Sequence, residues 1–181
     1  MPKKSWKLLG KENIFKNKYV TLDVWKMRLP RGQRSDYFIH KTYDFVIVSA
    51  FTKNGKAVVL DQYYISQHKR IPALVAGIIE KAEVPKETAA RELLEETGYK
   101  AQKIVSLGVS IKGKYATGRI FHFLALGAEK IAEPDLEAGE DINVRTVSFG
   151  MFKKMVAAGK ITEAAMEMSA WRVLDYLKKS K

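Results

Sequence analysis

The sequence predicts an α/β sandwich, a mixed sheet packed between helices, with a small antiparallel β unit at the N-terminus. Three observations carry that expectation. Short apolar or alternating runs bounded by turn residues recur over 19–64 and again over 104–149. One helical segment, 85–97, separates the two groups, and two more close the chain. Strands and helices do not alternate one for one, which argues against a doubly wound parallel sheet.

Taken in order, YVTLDVWKMR (19–28) alternates apolar and polar residues as a half-buried strand does. LPRGQ (29–33) supplies turn chemistry, and DYFIH (36–40) returns. Residues 1–43 thus read as a β unit too small to be stable alone, so it must pack on the remainder, 44–181, or on a second chain. FVIVSAF (45–51) and AVVLDQYY (57–64) are strands joined by the Asn-Gly turn of TKNGK. The helix starts at Pro85, whose missing N–H has no partner at the first position anyway, and ends at Gly98, suited to a left-handed cap. IVSLGVSIK (104–112) and RIFHFLAL (119–126) are strands joined by GKYAT. The acidic stretch EPDLEAGED (133–141) leads into INVRTVSF (142–149). Residues 149–158 and 162–178 read as helices broken at Gly159, with Met151, Met155, Met166 and Met168 as core filler.

Composition narrows the function classes. The 181 residues are 46% hydrophobic and 29% charged, enough to bury a core. With no cysteine, disulfides and thiolate metal sites are excluded, and His40, His68 and His122 are too scattered for a local zinc motif. The apolar run IPALVAGII (71–79) is about half the length of a membrane span, so no membrane partner is expected. MPKKSWKLLG lacks an apolar signal core, and cytoplasmic residence is the expectation. A net charge of +12 points to anionic partners. The Lys and Arg residues are scattered, clustering only at 3–4 and 178–181, and nucleic acid is not the expected partner.

The acids are less evenly spread. In RELLEETG (91–98), Glu92, Glu95 and Glu96 stand at i, i+3 and i+4 and share one helix face, where they repel one another. Helical arithmetic puts Ala90, Leu93, Leu94 and Thr97 on the opposite, docking face. A solvated face normally interleaves Lys at i+4; here Glu96 follows Glu92 and Tyr99 follows Glu95. Three such carboxylates make a hard-oxygen site for Mg²⁺ or Mn²⁺.

The stretch AGIIEKAEVPKETAARELLEETGY resembles the Nudix hydrolase signature, G-x5-E-x7-R-E-U-x-E-E-x-G-U with U aliphatic. Gly77, Glu83, Arg91, Glu92, Glu95, Glu96 and Gly98 occupy its fixed positions, and only Tyr99 departs, at the last U. The resemblance implies the Nudix fold over 44–181, with Glu92, Glu95 and Glu96 as metal ligands joined by the backbone carbonyl near Ala76–Gly77. Glu83 and Arg91 would orient the loop and helix. Glu140, just ahead of the last strand, would be the general base, with Glu92 as the alternative.

The N-terminal unit with its LPRG turn resembles that of the dimeric ADP-ribose and nucleoside-diphosphate-sugar pyrophosphatases, which implies a homodimer whose N-terminal strands help enclose the substrate. Several positions depart from that branch. Tyr64 stands where an arginine would bind phosphate, ALVAG (73–77) replaces Glu-Leu-Pro-Ala-Gly, and 110–119 lacks the Ser-Pro-Gly run. These departures leave the sugar open. Arg70, Lys112, Lys114 or Arg119 are candidates for the phosphate contact, and Tyr37, Phe15 or Trp25 for stacking on the base. The implied reaction is Mg²⁺-dependent hydrolysis of nucleoside diphosphate sugars, ADP-ribose or GDP-mannose among them, to nucleoside monophosphate and sugar phosphate. Two rival readings are an RNA 5′-end pyrophosphohydrolase and a non-catalytic nucleotide sensor.

Overall fold

The computed structural model describes residues 5–17 and 20–179; Lys3, Lys4, Lys181 and Tyr19, named in the expectations above, lie outside the described residues. The chain divides into two compact units, one of 1–44 with 111–119 and one of 45–110 with 120–181. The sequence division at 43 and 44 kept 111–119 with the second part. That segment instead belongs with the first, where His40 and Ala116 form a parallel bridge and Thr42 and Thr117 exchange hydrogen bonds.

The first unit is a three-stranded antiparallel sheet of β1 (Lys7–Lys16), β2 (Thr21–Arg28) and β3 (Arg34–Lys41), in that order. β1 was not expected. It is exposed along nearly all its length and broken in register at Leu8/Gly10 and Asn13/Phe15, so it shows no clean alternation. β2 pairs residue for residue with β3, Trp25 opposite Tyr37 and Val24 opposite Phe38.

The second unit is built on β4 (Phe45–Thr52), β5 (Ala57–Tyr64), β6 (Lys69–Ala73), β7 (Val75–Ile78), β8 (Tyr99–Lys100), β9 (Lys103–Ile111), β10 (Arg119–Lys130) and β11 (Ile142–Val147). The sheet runs β11-β5-β4-β10-β8, with β6 on β5, β7 on β4 and β9 on β10. β4 and β10 are parallel, and the other pairings with a stated register are antiparallel. The run 71–79 is therefore the meeting of two short strands, divided after Ala73, not one apolar segment.

Three helices complete it: α1 (Pro85–Thr97), α2 (Phe149–Ala157) and α3 (Ala164–Lys179). Burial of Val46–Val48, Val58–Leu60, Leu74, Leu93, Leu124, Phe152, Ile161 and Val173 makes one core around the sheet. Met155 and Met166 join it, but Met151 and Met168 are exposed, because their turns of α2 and α3 point them away from the sheet. No helix among the described residues is long and apolar enough to cross a membrane.

α1 ends as its residues dictate. Pro85 opens it, and Gly98 closes it at φ 73°, its N–H bonded to the Leu94 carbonyl at 2.7 Å. A side chain at Gly98 would also strike the Ala132 carbonyl oxygen, 1.9 Å from where its Cβ would stand. Glycine is needed there on both counts.

His122 is fully buried on β10, Nε2 2.8 Å from Ser110 Oγ and Nδ1 without a hydrogen-bond partner among the described residues. Burial, with the nearby Arg172 charge, pushes its pKa down to about 4. The unfolded chain therefore binds a proton below about pH 6.5 that the folded chain refuses. Stability is full above that value and falls as pH drops toward 4. Urea unfolding at pH 5 should show a loss of about 2 kcal/mol relative to pH 7 from this residue, and His122→Leu should remove that part of the pH dependence.

Candidate active site

The site forms where α1 crosses β7. Ala76 and Gly77 pair with Ile47 and Val46 of β4, which fixes the floor, and α1 lays its carboxylates over that floor. The helix faces differ from those expected by arithmetic. Thr88, Ala89, Glu92, Leu93, Glu96 and Thr97 are buried, while Ala90 is exposed and Leu94 half-buried. The buried arc thus takes in two of the three glutamates, because the small Ala76–Gly77 floor leaves room beneath them. Gly77 is required for this: a Cβ there would lie 1.8 Å from the Glu92 carboxyl carbon.

Arg91 is the local counter-ion. Its Nε and Nη2 grip both oxygens of Glu83 at 2.8 and 3.0 Å, and Nη2 also donates to the Ile78 carbonyl at 3.3 Å. Nη1 reaches Glu95 at 2.7 Å and Glu92 at 2.9 Å. The Thr88 hydroxyl and the Glu80 N–H complete the Glu83 carboxylate. Arg91, with those two donors, holds Glu83 down at about 2. This fork ties the loop before α1 to the helix.

Glu96 has a different environment. It is 4% exposed, and its Oε2 accepts the Ala76 N–H at 3.2 Å. Burial first, then the Glu92 charge, push its pKa up to about 9. Burial raises that of Glu92 as well. The helix thus carries two carboxylates that resist ionisation beside an arginine already shared by three.

These groups line a cleft of about 660 Å³ together with Glu80, Asp135, Glu137 and Glu140. The far wall is the loop before β11. Asp135 N–H bonds the Glu95 carbonyl at 2.8 Å, and the Glu140 carboxylate accepts the Glu137 N–H at 2.9 Å. Seven carboxylates thus face one guanidinium. Such a cleft repels any anion unless cations enter with it.

The donor chemistry fits a divalent cation: hard carboxylate oxygens, a backbone floor at Ala76, and a glycine where a side chain would fill the space. Among the described residues no three His, Asp or Glu side chains converge as a ready ligand set. Arg91 draws Glu92 and Glu95 toward itself, and Glu96 turns to the Ala76 N–H.

Ala76, Gly77, Arg91, Glu92, Glu95, Glu96 and Glu140 all line the cleft. Glu83 lies behind Arg91, and Gly98 caps the helix. Arg70 does not line it; it binds the Asp61 carbonyl at 2.8 Å and the Asp141 carboxylate, bracing the loop. Tyr64 turns away as well. Its hydroxyl meets Met166 Sδ at 3.6 Å, and burial pushes its pKa up to about 12. Lys112, Arg119 and Tyr37 belong to the first unit, Arg119 forked onto Asp44 and Tyr37 stacked on Tyr115. Glu80 and Asp135 were not singled out from sequence. Asp135 had a signal, its place in the acidic stretch; Glu80 had only its position just after the glycine loop.

Residues 40–168 match the model of the NUDIX domain family. The chain is 32% identical over 160 residues to an ADP-ribose pyrophosphatase of Bacillus subtilis (strain 168), covering 87% of this chain and 86% of that protein. It is 40% identical over 98 residues to a methanol dehydrogenase activator of Bacillus methanolicus, covering 54% of this chain and 53% of that one. A crystal structure of an ADP compounds hydrolase superposes with a TM-score of 0.86 at 17% identity, over 97% of this chain and 95% of the other.

Proposed function

The chain belongs to the NUDIX domain family and is a Nudix hydrolase, and from that premise we propose that it hydrolyses the diphosphate of ADP-ribose and related ADP compounds. The observation that carries this reading is the carboxylate cleft on α1 and β7, whose only cation among the described residues is Arg91. The names of two proteins matched over most of the chain, an ADP-ribose pyrophosphatase and, in structure, an ADP compounds hydrolase, favour an ADP moiety over other nucleotides. GDP-mannose and other nucleoside diphosphate sugars are the competing substrates, yielding likewise a nucleoside monophosphate and a sugar phosphate.

Glu92, Glu95 and Glu96, with the Ala76 carbonyl, would hold Mg²⁺ or Mn²⁺. Such an ion, when bound, neutralises the diphosphate and lowers the pKa of water. The chain's own residues do the rest. Glu83 and Arg91 hold the glycine loop and helix in register, so that Glu92, Glu95 and Glu96 line the same cleft. Glu140 stands on the opposite wall and takes the proton of the attacking water. A homodimer joined through the first unit fits the exposed Phe15 and Phe38, which the strand register puts on one face of that sheet.

Gly77→Ala separates site from scaffold. The new methyl displaces the flexible end of Glu92 and leaves the β7 backbone in place. Turnover should fall at least about tenfold with the melting temperature nearly unchanged; an unaffected kcat would remove Glu92 from the site. A substrate panel with Mg²⁺ tests the reading as a whole: ADP-ribose, GDP-mannose, UDP-glucose and capped RNA, followed by phosphate released with a coupled phosphatase. ADP-ribose should have the highest kcat/KM. A preference for capped RNA would overturn the small-molecule assignment.

A further inference from the structure

The loop before β11 carries Glu137 and Glu140 on the far wall of the cleft, and its two ends are held in different ways. At the start, the Asp135 N–H bonds the Glu95 carbonyl of α1 at 2.8 Å. In the middle, the Glu140 N–H bonds the Glu137 carbonyl at 2.9 Å, and the Glu140 carboxylate accepts the Glu137 N–H at 2.9 Å. Those two bonds fix the shape of a turn but not its place over the cleft.

Asp141, the next residue, sets the place. Its carbonyl accepts the Tyr63 N–H at 3.0 Å, just ahead of the Ile142–Gln62 pair that opens β11. Its carboxylate is held by Nη2 of Arg70, while Nη1 of the same side chain donates to the Asp61 carbonyl at 2.8 Å. Arg70 stands on β6 opposite Tyr63, so its guanidinium crosses β5 to reach the entry of β11. One donor goes to the backbone of the sheet and another to the loop. A planar fork serves both at a fixed angle; an ammonium, a point charge on a flexible stem, does not.

We propose that Arg70 is a positioning residue for the hydrolysis: by holding Asp141 it sets where the neighbouring Glu140 stands on the cleft wall. Arg70 is not among the residues that line the cleft, so it acts through the loop and not on the substrate. Stability alone does not account for the arrangement, because a pair whose carboxylate is 60% exposed contributes little to folding. Placement is the stricter demand. A shift of about 1 Å in a reacting group costs about a hundredfold in rate, and Glu140 directly precedes the clamped residue. The proposal rests on the reading of Glu140 as the general base.

The test compares Arg70→Met, Arg70→Lys and the double variant Arg70→Met with Glu140→Gln, all in the full chain. ADP-ribose turnover is measured at saturating Mg²⁺, and backbone hydrogen–deuterium exchange over 133–141 is followed in chelator. Arg70→Met should lower kcat at least about tenfold with KM changed less than about threefold. Its melting temperature should stay within about 3 °C of the parent, and exchange at 137–141 should quicken several-fold while α1 exchanges as before. Arg70→Lys keeps the charge but not the fork, and should recover less than about half of the lost rate. In the Glu140→Gln background Arg70→Met should lower kcat by less than about twofold, since the group it positions is already gone. The proposal is overturned if Arg70→Met stays within twofold of the parent, if exchange over 137–141 is unchanged, or if the loss is undiminished beside Glu140→Gln. Should Glu140→Gln alone lose less than about fivefold, or the parent turn over nothing in the substrate panel, the hydrolase reading has failed and takes this proposal with it. If Glu140→Gln loses its full hundredfold and Arg70→Met loses nothing, the proposal alone has failed.

Discussion

Glu96→Gln should reduce kcat at least about a thousandfold while the protein stays folded. The substitution keeps the shape of a side chain that is 4% exposed and still offers an oxygen to the Ala76 N–H. It removes the one thing a cation needs there, an ionisable oxygen pair. The same change removes a buried carboxyl whose pKa burial, then the Glu92 charge, push up to about 9, so that the folded chain must hold it protonated at neutral pH. In chelator the variant should therefore melt about 5 °C higher than the parent, and saturating Mg²⁺ should stabilise it less. Activity within twofold of the parent would end the assignment of the α1 carboxylates to metal binding.

Glu140→Gln is the second large effect. A general base contributes about 10²–10⁴ in rate, and kcat should fall within that range with KM changed less than about threefold. The variant isolates the proton transfer, since a glutamine oxygen can still accept the Glu137 N–H that pins this side chain to the loop. Steady-state kinetics at saturating Mg²⁺ would check it. A loss below about fivefold would pass the role to Glu92, which shares the cleft.

What could be read from the sequence follows from which forces act locally. Pro85 and Gly98 mark the ends of α1 because capping involves only a few neighbouring residues. Gly55, at φ 71°, turns the chain between β4 and β5 for the same reason. β1 escaped notice because Gly10 and two register breaks erase its alternation, and only pairing with β2 makes it a strand. The division of 71–79 between β6 and β7 depends on two different partner strands, which no local pattern reports.

In the site, the spacing of the signature located the carboxylates, but the faces of α1 were misjudged. The arithmetic set the acids opposite the docking face, whereas Glu92 and Glu96 sit buried over a floor of Ala76 and Gly77. Tyr64, which stands where an arginine was expected to bind phosphate, is half-buried with its hydroxyl against Met166. The gathering of ten of the twelve net positive charges on 1–44 and 111–119 was equally hidden, since it needs 111–119 to be counted with the N-terminal strands.

Arg91 has a consequence for how such a protein lives through scarcity of metal. By clasping Glu83, Glu92 and Glu95 it acts as a resident placeholder, so the polypeptide can finish folding before any ion arrives. Whatever ion comes later competes with a tenant already in possession of the same oxygens. Loading is thereby discounted and reversible, and starvation idles the protein without unravelling it.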